Sequence, residues 1–283
     1  MANQQRRSIL CPNCRKLISV DEARCPYCGT GKPGSWWKNN YWTQGLRNTD
    51  QLIKAIIFVN LGIYLVSLLL DPLSSRFSLN PFSFLSPGNR SLFVLGATGT
   101  IPINQFGRWW TLVSANYLHG SILHILFNMV AFRQLSPLVL QEYGAYRMLS
   151  IYTMGGIFGF LVSYLAGVPL TIGASASVCS LIGATLYYGK SRGGTYGQSI
   201  YRQIGGWTLG IFIFGFLVPG INNWGHGGGI LGGIVLGALL GYHERRREGV
   251  FHKILAGACV ALTVVILAWA ILSGISYRVL GLS

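Results

Sequence analysis

No aspartate or glutamate falls inside any long apolar run of this sequence. The acids are Asp21, Glu22, Asp50, Asp71, Glu142, Glu244 and Glu248, and each lies outside those runs or at an edge. An intramembrane aspartyl pair is thereby excluded, and so is a zinc-binding HExxH helix. A proton-coupled carrier, which ordinarily keeps a buried carboxylate on its path, is disfavoured on the same ground. Charge is scarce altogether: 10% of residues are charged, against roughly a quarter in a soluble domain, while 51% are apolar. The opening stretch MANQQRRSIL has no apolar core, so no cleavable signal peptide is expected and the first span must act as the targeting segment.

Seven apolar runs are long enough, or nearly so, to cross a bilayer. They cover Ala55–Leu70, Thr111–Phe132, Met148–Val168, Ile172–Gly189, Gly205–Val218, Asn223–Tyr242 and Ile254–Ile275. The fifth is short and would need tilt or local thinning. With a cytoplasmic N-terminus, every Lys and Arg except Arg76, Arg90, Arg108 and Arg278 falls on the cytoplasmic side, which sets the orientation and puts the C-terminus outside. The net charge of +15 is accounted for by this bias, so no nucleic-acid partner is expected. The partner is a lipid bilayer, and a bacterial-type plasma (inner) membrane fits the pattern.

Three regions follow from composition: residues 1–34, a polar aromatic linker over 35–51, and a transmembrane domain over 52–283. In the linker, Trp36, Trp37, Tyr41 and Trp42 suit the membrane interface, although Trp36 and Trp37 would equally serve as a small core for the first module. That module holds Cys11-x2-Cys14 and Cys25-x2-Cys28. Two such knuckles present four thiolates to one tetrahedral Zn²⁺, whose binding replaces a core too small to fold alone. Two disulfides would conflict with a reducing cytoplasmic face. With no spare ligand or neighbouring base, the site reads as structural, a zinc-ribbon-like module open to a cytoplasmic protein partner. Cys179 and Cys259 lie within spans and read as small apolar fillers.

Polar groups at membrane depth are costly and therefore informative. The spans contain His119, His124 and His226, with Asn128 four residues after His124 on the same helix face. The segment TIGASASVCSLIGA adds Ser175, Ser177 and Ser180. In the topology above, Ser175, His226, His124 and Asn128 all fall in the outer half of the bilayer, on three different helices. A serine hydroxyl becomes nucleophilic when an imidazole accepts its proton, and a tetrahedral oxyanion needs preorganised donors in a dry site. Gly233, Gly237 and Gly241 repeat every four residues along the sixth span, the spacing that lets helices approach closely. With no acid available, packing or Asn223 would orient His226.

The segments HGSILHILFNM (119–129), GASASVCSLIGA (173–184) and NWGHGGGILGGIVLG (223–237) resemble the three signature segments of the rhomboid intramembrane serine proteases. The resemblance implies an all-α polytopic fold, a six-helix core with one extra C-terminal helix. It implies a catalytic dyad of Ser175 and His226, and an oxyanion pair of His124 and Asn128. No cofactor is implied for catalysis, and the substrates would be single-span membrane proteins. His119 matches a further histidine at the top of the second helix and reads as structural. Around the nucleophile the family's GxSG becomes Gly173-Ala174-Ser175-Ala176, a usually aromatic position is Cys179, and a Trp–Arg pair reads Trp110-Thr111. Two functions stay open at this point: an intramembrane serine endopeptidase, or a rhomboid-like protein that binds and scaffolds client helices without cutting.

Overall fold

A computed structural model of the chain describes residues 8–12, 16–35, 49–72 and 83–280. Cys14 and the linker aromatics Trp36, Trp37, Tyr41 and Trp42 lie outside the described residues. The chain divides into two compact units, residues 1–55 and 56–283.

In the first unit, strands β1 (Ser8–Leu10) and β2 (Leu17–Ser19) form an antiparallel hairpin in which Ile9 faces Ile18 and Leu10 faces Leu17. Side chains alternate across a strand. Ile18 therefore joins Cys11 and Cys25 in a small core, with Ile9 and Cys28 packed against it, while Leu10 and Leu17 point outward.

The second unit is helical. Helix α1 (Thr49–Leu70) leads into it. Two short helices, α2 (Asn89–Val94) and α3 (Thr100–Phe106), occupy the long loop, followed by a four-residue turn, α4 (Thr111–Ser114). Six long helices follow: α5 (Ile122–Tyr143), α6 (Ala145–Leu165), α7 (Ser175–Arg192), α8 (Gly194–Leu217), α9 (Asn223–Leu240) and α10 (Val250–Leu280). This is an all-α polytopic membrane protein. Among the described residues, four helices are long and apolar enough to cross a membrane: Asp50–Leu70, Ile122–Tyr143, Ala145–Leu165 and Val250–Val279. Helix α7 is more polar because it sits inside the bundle, where nearly every residue from Ala176 to Thr185 is buried by protein rather than lipid.

Two expected spans begin elsewhere. The run Thr111–Phe132 is not one helix: the chain makes a 3₁₀ turn at Ala115–Tyr117, extends at Leu118, and restarts only at Ile122. Ser121 caps the restart by accepting the His124 N–H at 3.2 Å, so His119 belongs to the link and α5 continues to Tyr143. Conversely, α8 starts at Gly194 rather than near Gly205, so the span expected to be short has 24 residues. One face of its polar first half, Gly197, Ile200 and Ile204, is buried on protein, and a β-carbon at Gly197 would come within 2.7 Å of the Gly189 carbonyl oxygen.

At the bundle end remote from Ser175, the fully buried Arg147 donates to three carbonyls: Leu240 at 3.1 Å, Tyr143 at 3.0 Å and Arg246 at 2.5 Å. Its backbone N–H donates to Glu248 at 2.9 Å, and Tyr143 donates to the Ala184 carbonyl at 2.7 Å. The Tyr143 and Leu240 carbonyls lie in the last turns of α5 and α9, where a helix leaves them free, so Arg147 of α6 ties those two ends together, while the Tyr143 hydroxyl joins α5 to the middle of α7.

Candidate active site

Helices α7 and α9 run parallel in fixed register. β-Carbons placed at Gly229, Gly233 and Gly237 of α9 would meet Ala176, Ser180 and Ala184 of α7, a constant offset along both chains. Gly183 reciprocates, because a β-carbon there would overlap the Ile230 carbonyl. The working glycine stripe is thus 229–233–237. Gly241, expected in it, instead ends α9 with φ of 70°. The register sets Ser175, first residue of α7, and His226, one turn before Gly229, at the same level of the bundle. Gly159 of α6 completes the crossing: a β-carbon there would lie 2.7 Å from the Gly225 carbonyl oxygen and 3.0 Å from the Ala176 β-carbon.

The backbone entering α7 is held from two sides. Thr98 and Thr171 exchange N–H···O bonds at 3.0 and 2.7 Å, and Gly173 N–H donates to Ala115 at 2.8 Å. Gly173 has φ of 128°, a conformation that favours glycine. A β-carbon there would also lie 2.7 Å from His124 Nε2 and 3.6 Å from Ser175 Oγ, so the His124 ring and the serine hydroxyl flank one point. His124 Nδ1 accepts the Gly120 N–H at 3.3 Å. That bond leaves the ring proton on Nε2, the nitrogen turned towards Gly173. As residues of the first turn, Ser175, Ala176 and Ser177 have N–H groups that the helix itself leaves free.

His226 is buried, and its Nδ1 has no hydrogen-bond partner among the described residues. No hydrogen bond joins Ser175 Oγ to His226 in this structure, a contact that in ligand-free enzymes often closes only with substrate. Asn128 is buried on the His124 face, but its amide donates to the His124 carbonyl at 2.8 Å. His119 is fully buried beside His124, ring centroids 5.1 Å apart and edge-on, with neither nitrogen partnered among the described residues. Ser177 donates to Asn116 at 2.8 Å, whereas Ser180 donates to the Ser177 and Ile151 carbonyls.

One positioning residue escaped the sequence reading. Asn223 does not orient His226; its Oδ1 faces Gly215 of α8 and has no partner among the described residues. Its neighbour Asn222 caps α9, its Oδ1 accepting Gly225 N–H at 2.9 Å. Its amide donates to Ser163 at 2.7 Å and Thr171 at 2.9 Å, tying the start of α9 to the segment that leads to Ser175. An Asn directly before a helical run was the available signal.

The departures around Ser175 have simple packing explanations. The Ala176 methyl joins Ile103, Leu112, Ala115 and Phe160 in a core cluster. Cys179 is buried where α7 meets Gly229, its β-carbon 3.1 Å from where a β-carbon on that glycine would lie.

In the first unit, the sulfurs of Cys11, Cys25 and Cys28 lie within 4.8 Å of one another, and Cys11 and Cys28 are 3.6 Å apart. Bonds of about 2.3 Å in a tetrahedron put two sulfurs about 3.8 Å apart. The spacing fits thiolates sharing a metal, and all three cysteines are free of disulfides. These three residues could hold a metal ion; Cys14, the expected fourth ligand, lies outside the described residues.

Residues 106–243 match the family described as Rhomboid domain. The Rhomboid protease GluP of Bacillus subtilis (strain 168) is 33% identical over 185 residues, 64% of this chain and 35% of that protein. RHOMBOID-like protein 5 of Arabidopsis thaliana is 33% identical over 184 residues, 61% of this chain and 58% of that protein. Rhomboid-like protease 5 of Toxoplasma gondii is 28% identical over 186 residues, 62% of this chain and 21% of that protein. The chain therefore spans between a fifth and three fifths of the length of these curated relatives. The matches support the rhomboid family.

Proposed function

We propose that this chain is a rhomboid-type intramembrane serine endopeptidase that cuts single-span membrane proteins in the outer half of the bilayer, with Ser175 as nucleophile and His226 as base. One observation carries the reading: the parallel register of α7 and α9, which sets these two residues level at adjoining helix N-termini. His226 takes the hydroxyl proton as Oγ attacks the scissile carbonyl, then returns it to the departing amine. The oxyanion is met by the His124 Nε2–H and by free backbone N–H groups of the first turn of α7, with Asn128 reaching in by its second amide hydrogen. Water then attacks the acyl-enzyme, again with His226 as base.

A helix hides its peptide carbonyls, so the substrate must unwind locally before attack. Next to Asn128 in the sequence, Phe127 of α5 meets Phe214 of α8 edge-on at 6.4 Å. The outward face of α8 there (Leu209, Ile213, Phe214, Phe216) is exposed, as lipid contact requires.

The N-terminus is cytoplasmic and the C-terminus outside, in a bacterial-type plasma membrane. Cys11, Cys14, Cys25 and Cys28 hold one structural Zn²⁺ that supplies folding energy and no catalytic step. Labelling with a fluorophosphonate serine probe tests the reading: wild type takes the label, whereas Ser175→Ala does not and His226→Ala does so far more slowly. Equal labelling of all three would refute it. Without labelling, a client helix that still binds would favour the scaffold reading.

A further inference from the structure

The cysteine module is built like a small anchor. Leu10 and Leu17, cross-strand partners on its outward face, are 58% and 64% exposed, and Tyr27 is 57% exposed. A hairpin stabilised by its cysteines needs no leucine pair facing water. Lys16, at the turn beside Leu17, sets its ammonium 4.5 Å from the centre of the Tyr27 ring. Arg24 and Lys32 are also exposed, while the acids Asp21 and Glu22 lie past the opposite end of β2. The turn end of the hairpin thus carries Leu10, Leu17 and Lys16, while Arg24 and Lys32 are exposed on the segment that follows Asp21 and Glu22, with Lys32 N–H bonded to the Ala23 carbonyl.

We propose that this hairpin docks on an anionic lipid surface, with Leu10, Leu17 and Tyr27 entering the headgroup layer and Lys16, Arg24 and Lys32 meeting lipid phosphates. Apolar tips flanked by basic residues are what interfacial anchoring requires, and each basic residue near an anionic surface adds to binding. Covalent tethering favours this partner. Residues 36–48 separate the module from α1, and thirteen residues at about 3.5 Å each reach at most about 45 Å. The bilayer is therefore always within range, at a local concentration no free protein matches.

The test uses the full chain in nanodiscs, with Leu17→p-benzoylphenylalanine as a photo-crosslinker and mass spectrometry of the adduct. Both leaflets share one composition, so the result does not depend on topology or on Ser175 and His226. In discs of equal phosphatidylcholine and phosphatidylglycerol, a phospholipid adduct should form roughly tenfold more than in phosphatidylcholine alone. Lys16→Glu with Lys32→Glu should reduce it to the neutral-lipid level while bound zinc stays unchanged. Absence of lipid adduct, or equal adduct in both lipids, overturns the proposal. So does a dominant adduct to another protein in native membranes, which would give this face to a protein partner.

Discussion

Gly229 of α9 lies so close to the Ala176 carbonyl of α7 that a β-carbon on the glycine would overlap the oxygen. Ser175 and His226 owe their common level to this contact. Gly229→Val must push the helices apart, at about 1–3 kcal/mol for overpacking. The chain should remain folded in detergent with a lowered midpoint on heating. Reporter cleavage should fall by about two orders of magnitude, since a misplacement near 1 Å costs that much.

His124 and Asn128 were expected as an equal pair, but their surroundings differ. The Gly120 N–H fixes the His124 tautomer and aims its Nε2 proton at the Ser175 side, whereas the Asn128 amide is half committed to its own helix. His124→Ala should lower kcat by about 10²–10³, the usual loss for an oxyanion donor. Asn128→Ala should cost clearly less. Single-turnover cleavage of a saturating reporter separates the two.

Ala176, where the resemblance leads one to expect glycine, packs its methyl into a core with Ile103, Leu112, Ala115 and Phe160. Ala176→Gly should therefore not raise activity. Losing one buried methyl and placing glycine in a helix should destabilise the protein by about 1–2 kcal/mol. Thermal unfolding beside a cleavage assay checks both halves.

Much of this was legible in the sequence, and the failures share a cause. Apolar runs revealed the seven long helices found among the described residues, because lipid and core both demand hydrophobicity. They could not reveal backbone breaks inside a run. His119-Gly120-Ser121 interrupts Thr111–Phe132 through a Ser121 cap that hydropathy does not register. The start of α8 was missed for the converse reason: its first turns are polar yet packed on α7 through Gly197. Spacing marked the glycines of α9, but only the contacts distinguish packing Gly229 from Gly241, which serves as a helix cap. Likewise Asn222 and Asn223 are chemically alike, and only the three hydrogen bonds of Asn222 identify the residue that holds the site.

The cysteine cluster makes a separable prediction. Purified protein should carry about one zinc per chain, and Cys25→Ser should lose most of it, because the buried Cys25 sulfur lies within 4.8 Å of those of Cys11 and Cys28. Metal content by mass spectrometry reads this directly. Serine-probe labelling should persist in the same variant, since a metal held there would supply folding energy to the module and not chemistry to Ser175.

The most direct test of the account is cleavage of a single-span reporter by the purified, reconstituted chain, beside Ser175→Ala and His226→Ala. The account predicts one cut near the outer end of the reporter helix by wild type, and loss of cutting to background in both variants. Cutting that survives either substitution, or an intact reporter with the wild-type chain, would contradict it.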